Sequence, residues 1–189
     1  MNQGLLSVDD ALARLLAEAR PVADIEEVET LEATNRILAR SQRSTMDVPP
    51  MDNSAMDGFA VRLSDLKDKS SLLVKQKIMA GSVGKALEPG TAARIFTGAP
   101  IPPGADAIVM QEHTSIEGDQ VQLKKKPKPG EWIRRVGSDV KRGGEILPAG
   151  KRLLPQDTGL AASVGIKTLP VFRKVRLGLF FTGDELVMP

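Results

Sequence analysis

A chain of 189 residues that is 41% hydrophobic and 26% charged holds enough apolar material for one sizeable core or two small ones, and too much for a disordered tail. With no cysteine and a single histidine, His113, it excludes a disulfide scaffold, a thiolate zinc site, a cysteine nucleophile and a His-cluster metal centre. A net charge of +2 gives no general pull toward nucleic acid or membrane, 3% aromatic residues offer few stacking platforms, and no apolar run approaches the ~18–20 residues of a membrane helix.

In chain order, Met1–Asp10 carries acids and no basic region, so no signal peptide is expected and the protein reads as cytoplasmic. Ser7 can cap a helix with Asp10 three residues on, and Val8, Leu12, Leu15, Leu16 and Ala19 follow at helical spacing until Pro21. Glu26–Glu29 reads as a short strand and Leu31–Ala39 as a second short helix, before the proline crossing Val48-Pro49-Pro50. From Gly58 to about Arg134 the pattern changes to short strands between turns: 59–62, 72–75, 77–80, 92–97, 107–111 and 121–124. Such spacing predicts a compact β-barrel or sandwich. Pro155 can open a helix to Val164 with Gly165 closing it, and Ile166–Val171 is then a strand. Val175–Phe181 is a nearly continuous apolar run, as in a parallel strand buried on both faces, and the chain stops soon after. A parallel strand needs crossover neighbours, so the sequence is expected to be an N-terminal fragment cut at the start of an α/β domain.

Charge is unevenly spread, with 6 basic and 12 acidic residues in 1–66 against 20 and 12 in 67–189. The excess peaks at Lys124-Lys125-Lys126-Pro127-Lys128, which suits a solvated loop, with an anion-binding patch as the other reading.

Four loops could carry chemistry. Asp52-Asn53-Ser54-Ala55-Met56-Asp57-Gly58 packs two carboxylates, an amide and a hydroxyl ahead of a strand; it suits either Mg²⁺ and phosphate binding or an Asx-turn network at a domain crossing. Thr97 and Gly98 can offer a hydroxyl and a backbone N–H to an oxyanion, or belong to a rigid proline-set turn. Arg134 and Arg135 beside Asp139 can grip a phosphate in bidentate fashion or form an ion pair. Asp184 and Glu185 follow the apolar run, where α/β sheets place their ligand sites. His113 reads as structural or surface, and Trp132 as a packing residue.

Together the segments DNSAMDGFAV (52–61), FTGAPIPPGADAIVMQE (96–112), IRRVGSDVKRGG (133–144) and VRLGLFFTGDEL (175–186) resemble the molybdopterin molybdenumtransferase family, called MoeA in bacteria and the E domain of gephyrin in animals. The resemblance implies an α+β, multidomain fold. An extended, discontinuous first domain, about 1–50 and 138–174, would mediate dimerisation. A β-rich, barrel-like second domain, 51–137, would be inserted into it, and 175–189 would be the first strand of a truncated, MogA-like α/β domain. It also implies insertion of molybdate into adenylylated molybdopterin with release of AMP, dependent on Mg²⁺, by a homodimer whose partners include the molybdopterin adenylyltransferase. By motif position Asp57, Thr97, Asp139 and Glu185 would be catalytic, with Asp57 and Glu185 as metal ligands. Asn53, Ser54, Gly98, Arg134, Arg135 and Asp184 would bind substrate. Two departures stand out: Ser138 replaces the family's usual Glu, and Phe59 its common Tyr. The fragment alone is expected to fold and to be inactive. The alternatives are a non-enzymatic, gephyrin-like scaffold and a nucleic-acid-binding β module that would use Lys124–Lys128.

Overall fold

The computed structural model describes residues 6–20, 24–67, 69–176, 178–181, 183, 185 and 187. In chain order it forms α1 (Val8–Glu18), β1 (Ile25–Glu29), β2 (Gln42–Arg43), β3 (Asn53–Ser54), β4 (Gly58–Val61), β5 (Ser71–Ile78), β6 (Thr91–Ile95), β7 (Ala107–Met110), β8 (Thr114–Glu117), β9 (Gln120–Leu123), β10 (Ile133–Arg134), β11 (Glu145–Leu147), α2 (Pro155–Ser163) and β12 (Thr168–Phe172). Short 3₁₀ turns lie at Thr30–Glu32, Leu63–Leu66 and Gln111–His113. The chain divides into two compact units, one from residues 1–41 and 147–189, the other from the continuous stretch 42–146.

In the first unit, α1 begins as its sequence predicts, with the Asp10 N–H donating to Ser7 Oγ at 3.1 Å. β1 and β12 pair antiparallel from Ile25↔Phe172 to Glu29↔Thr168. α2 starts at Pro155, where the Asp157 carboxylate accepts from the Leu154 N–H at 2.9 Å and from Lys151 Nζ at 2.7 Å. Gly165 lies just beyond its end, with a φ of +79° that favours a residue without a side chain.

The predicted helix over 31–39 is not there. Only Thr30–Glu32 makes a 3₁₀ turn, and Asn35 takes a left-handed φ of +67°. The backbone beyond it turns to extended pairing: Ile37 bridges Arg152, Leu38 bridges Val171, and the Leu38 N–H donates to Lys151 O at 2.9 Å. Leu38 is fully buried, so tertiary pairing overrides a weak local helix preference. The predicted buried strand over Val175–Phe181 is also absent. Its described residues, 175–176 and 178–181, have no regular structure, and Phe180 is 87% exposed. An apolar run becomes a strand only when neighbours supply its hydrogen bonds, and no described residue does so here.

The second unit is built on a curled six-stranded mixed sheet in the order β7-β4-β6-β5-β9-β8. β5 and β6 run parallel and every other pair antiparallel. β7 and β8 are its edges, so the ladder is an open sheet rather than a closed barrel among the described residues. The two runs predicted over 72–75 and 77–80 are one strand, β5, with a bulge between Val74 and Gln76. The extra residue breaks the alternation and makes one strand read as two. β8 went unpredicted because its residues, Thr-Ser-Ile-Glu, alternate weakly and lie on an edge.

Period-two alternation puts Phe59, Val61, Leu72, Ala92, Val109 and Val121 in one apolar cluster and Ala60, Ile78, Ala93, Ile95 and Ile108 in a second. Strand β4 is buried on both faces, and β6 and β7 nearly so, which is why these three strands are rich in small and aliphatic residues. Close approach also explains Gly58, because a Cβ there would lie 2.0 Å from Val109 O.

Candidate functional site

Strand β3 is only two residues long, but two flanking segments are tied to it. On one side the Ser54 N–H donates to Ala99 O at 2.9 Å, the Gly98 N–H to Ser54 O at 2.8 Å and the Ile101 N–H to Asp52 O at 3.1 Å. On the other, β10 pairs with it through Ile133↔Ser54 and Arg134↔Asn53, and the Ala55 N–H donates to Trp132 O at 2.9 Å. The stretch 52–57 is thus held between 98–101 and 132–136. The local order is self-made: Ser54 is fully buried, and its hydroxyl donates to Met56 O at 2.6 Å.

Asp57 sits at the end of this stretch, half-buried. Its Oδ1 accepts two hydrogen bonds from Thr97, one from the N–H and one from the hydroxyl, both at 2.8 Å. These bonds, chiefly the backbone one, hold the Asp57 carboxyl below its ordinary range, and the positive charge of Arg94 adds to the effect. Both Thr97 bonds fall on Oδ1, and Oδ2 has no hydrogen bond among the described residues.

Asp52 forms the second anchored carboxylate. Oδ1 accepts from the Val136 N–H at 2.8 Å and Oδ2 from Arg135 at 2.6 Å, and these contacts lower its pKa. Arg135 is thereby engaged as an ion-pair partner, while Arg134 is exposed on β10. The segment with Asp139 is fastened elsewhere: the Asp139 N–H donates to Val48 O at 2.9 Å, and its Oδ1 accepts from Ser138 Oγ at 3.1 Å. Gly137 has a φ of +65°, and a Cβ there would meet Asp47 Oδ1 at 2.8 Å.

The structure therefore brings together Asn53, Ser54, Asp57, Thr97, Gly98, Arg134 and Arg135. The Thr97 hydroxyl and Gly98 N–H, expected to face an oxyanion, are engaged within the loops. Asn53 Oδ1 is buried without a partner. Glu185 is exposed in the first unit, and Asp184 lies outside the described residues. His113 is exposed, as its sequence context suggests. Arg94 was missed in the sequence. Its one signal is being a lone cation in the otherwise uncharged strand Thr91-Ala92-Ala93-Arg94-Ile95.

As a metal site the cluster is sparse: no three His, Asp or Glu side chains converge among the described residues. Mg²⁺ fits this donor set in one way, since it commonly takes one or two carboxylates and completes its shell with water and substrate phosphates.

These features define an α+β protein whose β-rich unit presents an ionised aspartate among interlocked loops. The chain belongs to the MoeA N-terminal region family, domains I and II, which matches residues 6–165. It is 42% identical over 185 residues to the molybdopterin molybdenumtransferase of Haemophilus influenzae, covering 97% of this chain and 46% of that protein. Against the molybdopterin molybdenumtransferase of a Nostoc species it is 43% identical over 170 residues, covering 87% and 39%. The crystal structure of the molybdopterin biosynthesis moeA protein from Pyrococcus horikoshii superposes with a TM-score of 0.83 at 36% identity, over 89% of this chain and 46% of that one. The chain thus spans somewhat less than half the length of the relatives it matches.

Proposed function

We propose that the protein of which this chain forms part inserts molybdate into adenylylated molybdopterin and releases AMP, completing molybdenum cofactor biosynthesis in the cytoplasm. The observation that carries the reading is Asp57: a carboxylate fixed in its ionised form by two Thr97 donors, with Oδ2 free of hydrogen bonds among the described residues, in a chain of the MoeA family. Relatives named molybdopterin molybdenumtransferase support the substrate class.

In this reading Asp57 Oδ2 faces the substrate and Thr97 is a positioning residue that keeps the carboxylate oriented and charged. Asp52 and Arg135 brace the loop, and Asn53, Ser54 and Gly98 set its path. Asp139, Glu185, Arg134 and Asp184 supply further polar contacts in the assembled protein. Mg²⁺, held by Asp57 and in the whole protein by Glu185, would supply charge neutralisation at the phosphoanhydride. The domains would be those that the motifs imply, 1–50 with 138–174, then 51–137, then the beginning of a third from 175. The active protein would be a homodimer that receives its substrate from the adenylyltransferase.

The test uses the whole protein with adenylylated molybdopterin, molybdate and Mg²⁺, following AMP release beside an Asp57→Ala control. Molybdate-dependent release, reduced at least a hundredfold in the control, is the expected result. Wild-type turnover by the control would remove Asp57 from the chemistry. No release from the folded wild type would shift weight to the non-enzymatic scaffold. Residues 1–189 alone should release no AMP.

A further inference from the structure

The sheet register gives Arg94 specific neighbours. It lies opposite Phe59 on β4 and opposite Lys77 on β5, so the three side chains stand in a row on one face. The guanidinium carbon is 5.0 Å from the Phe59 ring centre and 4.9 Å from that of Phe96, and Lys77 Nζ is 5.2 Å from the Phe96 ring. Arg94 is steadied by bonds to Gly58 O at 3.3 Å and Gln111 Oε1 at 2.5 Å. Like charges directly opposite each other repel, and aromatic faces attract cations without neutralising them. Neither Arg94 nor Lys77 is in an ion pair among the described residues. Both line an open groove of about 480 Å³ in which Asp119 is the only carboxylate among the described residues. The groove adjoins Asp57 through two links: Phe96 precedes Thr97 in the chain, and the N–H of Gln111 donates to Asp57 O at 3.1 Å.

We propose that Arg94 and Lys77, held over Phe59 and Phe96, form an anion subsite that receives a phosphate group of the substrate bound at Asp57. Which phosphate arrives rests on the function proposed above; capture of an anion does not. Within the groove's described lining two cations face one carboxylate and leave it net positive, with Asp57 outside the lining but within reach of the Arg94 charge. The planar guanidinium provides a fork for a phosphate that a lone ammonium lacks. The rings and Gln111 fix that fork before the ligand arrives, which lowers the ordering cost of binding.

The experiment measures pyrophosphate binding to the whole protein by calorimetry, and the KM for adenylylated molybdopterin, in the wild type and in Lys77→Gln, Arg94→Lys and Asp119→Asn. Lys77 is exposed, so its variant should fold normally. It should bind pyrophosphate about tenfold more weakly and show a KM raised about tenfold with little change in kcat, as loss of one charge-assisted contact predicts. Asp119→Asn should tighten pyrophosphate binding, and Arg94→Lys should weaken it while retaining charge. Pyrophosphate binding by Lys77→Gln within twofold of wild type would overturn the proposal, whether or not KM moved. If the whole protein released no AMP, the pyrophosphate series would still decide the subsite. If release were normal and the series flat, only the subsite would fall.

Discussion

The Asp57–Thr97 contact shows how one residue's chemistry is set by its neighbour's backbone. Thr97→Val keeps the N–H donor and removes the hydroxyl, so the Asp57 pKa should rise part of the way toward the ordinary value of about 3.9. Carboxyl-carbon NMR titration would measure it, and an unchanged pKa would leave the backbone bond and the Arg94 charge as the cause. The linkage has a definite sign. Asp52, Asp57 and Asp157 all have folded values below the unfolded one, so their stabilisation is complete above about pH 4 and lost as pH falls through the folded values. Urea unfolding between pH 5 and pH 2 should show wild type losing stability more steeply than Thr97→Val. At Gly58 the constraint is steric. Gly58→Ala drives a methyl into Val109 O and should cost about 3 kcal/mol by urea denaturation, with a neutral result requiring β4 and β7 to separate freely. The density of polar residues around Asp57 made this part of the site legible in sequence. Arg94 was not legible, because its role comes from partners on two other strands.

Helices and strands differ in how much of themselves they display in sequence. The start of α2 is local: Pro155 presets φ, and Asp157 accepts from the Leu154 N–H. Asp157→Ala should therefore cost about 1–2 kcal/mol, seen as a lower urea midpoint with an unchanged slope. An unchanged midpoint would mean that packing alone starts the helix. α1, α2 and most of the central strands follow from such signals. The segment 31–39 does not, because Leu38 is claimed by Lys151 and Val171 from the far end of the chain. The bulge in β5 hides a single strand behind a broken alternation. In Val175–Phe181 the apolar pattern is sound, but no described residue pairs with it.

At the scale of the molecule, the two units differ in connectivity. Residues 42–146 are continuous and contain both apolar clusters of the sheet. Expressed alone they should give a dispersed amide spectrum and a cooperative unfolding transition. A collapsed spectrum would mean that the sheet depends on the first unit. The short apolar runs separated by turn signals made this unit's β-rich character readable. Its open ladder was not readable, since closure depends on which strands become edges.

The first unit joins the two ends of the chain, and this imposes a schedule on its synthesis. The Thr30 hydroxyl donates to Ile166 O, 136 residues further on, and the Arg36 guanidinium to Phe172 O across the same separation. At about 5–20 residues per second a ribosome needs roughly 7–30 s to supply those partners. During that interval β1 has emerged with its pairing edge bare, while the continuous sheet-forming unit is already available to fold. The newborn chain therefore passes through a half-built period whose length is set by translation rate, and slower decoding of the codons between residues 36 and 172 would prolong the exposure of that edge.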